Sequence, residues 1–114
     1  PYGGIVSVLQ TAQTPYNWKV KDFKRPAKEK LVIYELLVRD FVQSRRYRDV
    51  ADSLGYLKKL GINALELMPV KEFTANDSWG YNPIFYTAPD KAYGTKDDLK
   101  YLIDKCHENG IAVI

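Results

Sequence analysis

Residues 62–69 read Ile-Asn-Ala-Leu-Glu-Leu-Met-Pro, an apolar run of strand length entered directly from Leu60 and Gly61. Residues 31–38, Leu-Val-Ile-Tyr-Glu-Leu-Leu-Val, have the same character. Runs that are apolar at nearly every position, rather than at every second one, mark strands covered on both faces, as in a parallel sheet. Between them the period changes. Across residues 49–60, Val50, Leu54 and Leu57 recur at helical spacing with Ala51 beside them, while Asp52, Lys58 and Lys59 fall elsewhere on the wheel. Gly61 is placed to end this helix in a left-handed cap. Farther on, Thr95 is placed to cap a second helix, with Asp98 at the capping-box position and Leu99, Leu102, Ile103 and Cys106 along one stripe. Gly110 ends that helix, and residues 111–114, Ile-Ala-Val-Ile, open a third strand. Strand–helix–strand–loop–helix–strand predicts an α/β fold: a parallel sheet with right-handed crossover helices.

The connection between the second strand and the second helix, residues 70–94, is far longer than the ~2–6 residues usual in α/β units, the mark of a binding or active-site loop. It leaves the C-terminal end of its strand, the face where such sheets bind ligands. Residues 78–94 show neither helical nor strand period and are punctuated by Gly80, Pro83, Pro89 and Gly94. Trp79, Tyr81, Phe85, Tyr86 and Tyr93 supply flat apolar faces with polar edges, which suits a sugar ring with C–H groups on its faces and hydroxyls at its rim. Phe85 and Tyr86 read better as pins that hold the loop to its own domain. Trp79 and Tyr81 stand open between pinning and sugar contact.

A chain of 114 residues holds at most one domain, and a net charge of +3 with interspersed acids and bases leaves no nucleic-acid footprint. No run approaches a membrane span, and the single Cys106 excludes an internal disulfide. Residues 1–30 carry an apolar patch at Ile5, Val6, Val8 and Leu9, a turn-prone stretch through Pro15, and a basic approach around Arg25 and Pro26. They read as a connector lying on a neighbouring surface, with Tyr16 and Trp18 as its anchors. The expected boundary lies between residues 1–30, a connector, and residues 31–114, the α/β segment. Starting at Pro1 and closing inside a third strand, the chain is expected to be a piece of something longer.

Several spaced motifs then resemble one family in the right order. Residues 31–41, through Arg39-Asp40-Phe41, are similar to the first barrel strand of the α-amylase family of glycoside hydrolases, and residues 61–70 to its second. Trp79-Gly80-Tyr81-Asn82-Pro83, Tyr86, Ala88-Pro89-Asp90 and Tyr93-Gly94 resemble the loop after that strand. Asp98-Leu99-Lys100 through His107, with residues 110–114, resemble the run into the third. Residues 1–30 resemble the region that follows a β-sandwich in multidomain bacterial-type branching and debranching enzymes. The resemblance implies the first strand through the start of the third strand of a (β/α)8 barrel. It implies action on α-glucans (starch, glycogen, maltooligosaccharides) by a retaining two-carboxylate mechanism, in a hydrolase, a branching or debranching enzyme, or a glucanotransferase. It places every catalytic acid beyond Ile114, so this chain is expected to hold no catalytic residue and to be inactive alone. It carries Tyr81 over as the ring that stacks on the sugar beside the scissile bond, with Trp79 and Asn82 supporting the loop. Calcium is implied for the parent protein, with no metal ligand here.

Glu35 and Glu66, mid-strand on neighbouring strands, invite a catalytic reading, since glycosidases use two carboxyls about 5–9 Å apart. Mid-strand acids in a barrel interior more simply pair with cations or donors from other strands, and catalytic groups come from strand ends. Arg39 and Asp40, at the end of the first strand, are expected to fix the loop to the rim; His107 lacks partners at metal-ligand spacing, and Cys106 belongs to the core. The competing function is a stand-alone, non-catalytic sugar-binding or assembly module. In either case the sheet face carrying Ile33, Leu37, Ala64 and Met68 lacks a cover. A second copy of the chain is expected to supply one.

Overall fold

The computed structural model describes residues 9–114, so the apolar run at Ile5, Val6 and Val8 lies outside the described residues. In chain order, the first strand β1 (Ile33–Leu36) is followed by a single helical turn α1 (Val38–Phe41), then α2 (Tyr47–Asp52) and α3 (Leu54–Lys59). Next come β2 (Ala64–Leu67), β3 (Lys71–Phe73), β4 (Pro83–Pro89), α4 (Lys96–Glu108) and β5 (Ala112–Val113). β1, β2 and β5 form one parallel sheet in that order, as the apolar runs predict.

The helices pack on one face of this sheet. Leu36, Val38, Tyr47, Val50, Leu54, Leu57, Leu65, Leu102, Cys106 and Ile111 are buried there, so the helical stripes meet the strand residues of opposite parity. The predicted first helix starts at Tyr47 and is split at Ser53, whose hydroxyl donates to the Asp49 carbonyl one turn back at 3.0 Å. Such back-bonding bends helices. The apolar stripe runs through the break, because Val50, Leu54 and Leu57 are all buried. Gly61 turns the chain into β2 at φ 82°. Burial of the Cys106 thiol in this core pushes its pKa up to about 12.

α4 has the capping box that its sequence announces. The Asp98 amide donates to Thr95 Oγ1 at 3.2 Å, and the Thr95 amide donates to Asp98 Oδ2 at 2.9 Å. Burial alone would raise the Asp98 carboxyl, but the Thr95 amide and hydroxyl and the Arg48 guanidinium together hold it below the usual aspartate value. The outer side of α4 receives the N-terminal segment. Buried Asp104 accepts the Lys19 and Val20 amides at 3.1 Å each and the Tyr16 hydroxyl at 3.4 Å. Burial pushes its carboxyl up, and these donors outweigh burial and bring it below the ordinary value. Phe23 stacks on His107, with centroids 4.0 Å apart and planes 7° from parallel. Burial there lowers the imidazole, against a smaller opposing pull from Asp104.

The region read as an irregular loop contains an antiparallel ribbon, β3 with β4, as its own second sheet. The prolines that argued against a strand sit at the two ends of β4, where the ladder is dispensable. Register shifts on both sides of Glu72 break the alternation that would have announced it.

Candidate functional site

Residues in register on parallel strands point to the same side, and Ile33 lies opposite Ala64 as Glu35 lies opposite Glu66. This is the sheet face away from the helices. At the C-terminal ends of β1 and β2 an open cleft of about 660 Å3 runs from the two glutamates past Met68 and Val70 to the ribbon, with Leu99 and Ile103 of α4 also lining it. The ribbon contributes Lys71, Gly80, Tyr81, Pro83 and Tyr86 to the cleft wall.

The turn that carries Tyr81 is held by its neighbours. Gly80 has φ 87°, and a Cβ there would lie 2.6 Å from the Pro69 carbonyl oxygen and 2.8 Å from Pro69 Cβ. The chain therefore crosses directly over the end of β2 at a residue with no side chain. The Gly80 amide donates to Ser78 Oγ at 3.0 Å, and Ser78 Oγ donates to Asn82 Oδ1 at 2.5 Å, closing the turn on both sides of Tyr81. With its own backbone fixed, the Tyr81 ring stands 69% exposed on the cleft wall.

The base of the ribbon is buried. Asp90 accepts the Phe73 amide at 3.1 Å and the Ala92 amide at 2.7 Å, while its own amide donates to the Val70 carbonyl at 2.8 Å. Tyr93 packs edge-on against Phe73 and Tyr47, each at 5.8 Å, and all three rings are buried. Burial, with Asp90 nearby, raises the Tyr47 and Tyr93 phenols. Lys91 makes an ion pair with Glu72 across the ribbon. At the tip, Arg39 of α1 reaches both Asp40 and Asp77. The Arg39 hydrogen bond holds the Asp40 carboxyl below its usual range.

Of the residues singled out from sequence, the structure places Tyr81 in the cleft. Asn82 lies in the turn as a hydrogen-bond partner, and Trp79 is exposed outside the cleft lining. Tyr86 is not a pin: it is 68% exposed, lines the cleft, and has the Lys71 ammonium 5.1 Å from its ring centroid. Alternation within β4 turns Tyr86 and Ile84 outward while Phe85 is half-buried, a signal hidden by reading the stretch as loop. Asp90, the buried carboxylate at the ribbon base, was legible only as part of the Ala88-Pro89-Asp90 motif. Among the described residues no three His, Cys, Asp or Glu side chains gather to hold a metal ion. No helix among them is long and apolar enough to cross a membrane.

Residues 46–114 match the family model described as the α-amylase catalytic domain. The chain belongs to the α-amylase family. It is 41% identical over 104 residues to the 1,4-α-glucan branching enzyme of Picrophilus torridus, an alignment covering 87% of this chain and 15% of that protein. It is 31% identical over 111 residues to the malto-oligosyltrehalose trehalohydrolase of Saccharolobus solfataricus, covering 97% of this chain and 20% of that one. A Salmonella typhimurium crystal structure assigned as an α-amylase superposes with a TM-score of 0.84 at 36% identity, over 87% of this chain and 17% of that chain. The three parallel strands and their helices are thus the α/β fold of the N-terminal part of an amylase-type barrel. The chain spans about a fifth or less of the length of these family members.

Proposed function

We propose that this α-amylase-family segment supplies one wall of the substrate cleft of a retaining enzyme acting on α-glucans, with Tyr81 as its sugar-stacking ring. The observation that carries the reading is the exposed Tyr81 ring, held over the C-terminal ends of β1 and β2 by a turn whose backbone is fixed at Gly80 and Ser78. A pyranose face against that ring contributes on the order of 1–2 kcal/mol from buried apolar area. With a single wall, binding of short maltooligosaccharides is expected in the millimolar range or weaker. Asn82 supports the turn by accepting from the Ser78 hydroxyl.

The bond-breaking carboxylates come from elsewhere in the barrel. Glu35 and Glu66 are register partners on adjacent parallel strands, about 4.8 Å apart between backbones, and they leave the sheet on the same side. Retaining catalysis needs its two carboxyls to flank the glycosidic bond. Two acids side by side approach a sugar from one direction, so their role is to pair with cations or donors facing the sheet. The closeness of the branching and trehalohydrolase relatives favours a transferase or hydrolase of α-1,4-glucans. Titration of the protein with maltoheptaose, followed by NMR, tests the reading. Tyr81→Ala is expected to abolish the shifts and Trp79→Ala to leave them; the reverse pattern would mean that another ring holds the sugar.

A further inference from the structure

Resting on the reading of Tyr81 as the sugar ring's platform, we infer that Arg39 is a positioning residue: through its ion pair with Asp77 it sets the Tyr81 turn and makes recognition of an uncharged glucan depend on ionic strength. Arg39 leaves α1 one residue after Val38, which is buried at 1% exposure, so its backbone belongs to the rigid core. Its guanidinium is itself aimed: Nε donates to Asp40 Oδ1 at 2.7 Å and Nη2 to Asp40 Oδ2 at 3.0 Å. That two-point grip leaves Nη1 directed at Asp77 Oδ1, 3.1 Å away, with Arg45 Nη1 farther off at 3.9 Å. A planar fork does this; a lysine ammonium on the same stem has no second edge to be oriented by Asp40.

Asp77 directly precedes Ser78, whose hydroxyl holds the Gly80 amide and Asn82. The ribbon tip therefore has two anchors on the barrel end. Gly80 on Pro69 is steric and insensitive to salt. Arg39 on Asp77 is ionic, and Asp77 is 75% exposed, so its attraction is screened as the Debye length falls from about 10 Å at 0.1 M salt to about 3 Å at 1 M. Ala75, at φ 63°, sits in a region that L-residues disfavour, so the tip has a more relaxed arrangement to adopt when released. An exposed pair of this kind contributes little to global stability. Its loss is expected to move the ring, not unfold the chain. Because the glucan carries no charge, salt reaches its affinity only through the protein.

The test uses the 15N-labelled protein at 20 mM and 1 M NaCl, reading amide relaxation of Gly80 and Tyr81 alongside maltoheptaose shifts. In the unaltered protein both amides are expected to loosen at high salt and affinity to fall about threefold, the size expected for one exposed ion pair. Asp77→Asn is expected to show the loosened state and the weaker affinity at both salt concentrations, with an unchanged thermal midpoint. Asp77→Glu restores the salt response; Arg39→Lys does not. Gly80 and Tyr81 amides as ordered in Asp77→Asn as in the unaltered protein, with the salt response intact, would overturn the inference. Amides that respond to Asp77→Asn in a protein showing no maltoheptaose shift would support the clamp and refute the sugar reading, which separates the two claims.

Discussion

Gly80→Ala measures how firmly the ribbon turn is seated on the end of β2. Two costs add. Moving a side chain into the left-handed region, φ 87° here, costs roughly 1–2 kcal/mol. The new Cβ would also lie 2.6 Å from the Pro69 carbonyl oxygen, a backbone atom that cannot rotate away, and forced overpacking of this kind costs about 1–3 kcal/mol. Gly61→Ala is the control. Its φ is 82°, nearly the same, yet nothing lies within 4 Å of the added carbon, so only the first cost applies. The entropy that any Gly→Ala change removes from the unfolded chain is common to both and cancels. Urea unfolding followed by circular dichroism should therefore show Gly80→Ala losing about 1–3 kcal/mol more than Gly61→Ala, read as a lower midpoint at an unchanged slope. Equal losses would show that the turn is not pressed onto Pro69, and the steric anchor of Tyr81 would go with it.

Four further outcomes are expected. Asp104 has a depressed carboxyl, so its contribution is complete above about pH 4 and is lost as pH falls through the lower folded value; the gap in thermal midpoint between the protein and Asp104→Asn should close on acidification. His107 is likewise depressed, by burial, so the neutral ring on Phe23 stabilises above about pH 6.5 and less below it; His107→Phe should flatten the melting curve's pH dependence between 7.5 and 5.5. Starch incubated with the purified protein should release no reducing sugar above background, and activity that vanished in Glu66→Gln would refute a structural role for that acid. On the sheet face away from the helices Ile33 is 48% exposed, whereas Leu37 and Ala64, expected there as uncovered, are already buried; sedimentation at micromolar concentration should show a dimer or larger species, and a monomer that melts cooperatively would show that the face needs no cover.

What was legible in the sequence was what is local. The apolar runs around Ile33 and Leu65, the stripe of Leu99, Leu102 and Cys106, and the Thr95–Asp98 cap each declare themselves within one or two turns of chain. The break at Ser53 was missed because it leaves the apolar stripe intact. The ribbon was missed because its pairing joins Lys71 to Pro89 across 18 residues with register shifts, so neither strand alternates cleanly. Tyr81 was legible through its motif. Tyr86 was not, because whether an aromatic pins a loop or faces the cleft depends on which side of the ribbon it occupies. The Arg39–Asp40–Asp77 contacts were half visible: Arg39 and Asp40 read as fixing the loop to the rim, but Asp77 lies 38 residues away and only the fold names it as the partner.

The central claim is that the exposed ring of Tyr81 is the surface on which a glucose unit rests. Intermolecular NOEs between ring protons and sugar C–H protons, recorded on the protein with excess maltoheptaose, test it directly. Cross-peaks from the Tyr81 ring to pyranose C–H protons, absent in Tyr81→Ala, are the predicted result. Cross-peaks confined to Trp79 or Tyr86, with the Tyr81 ring silent, would contradict it.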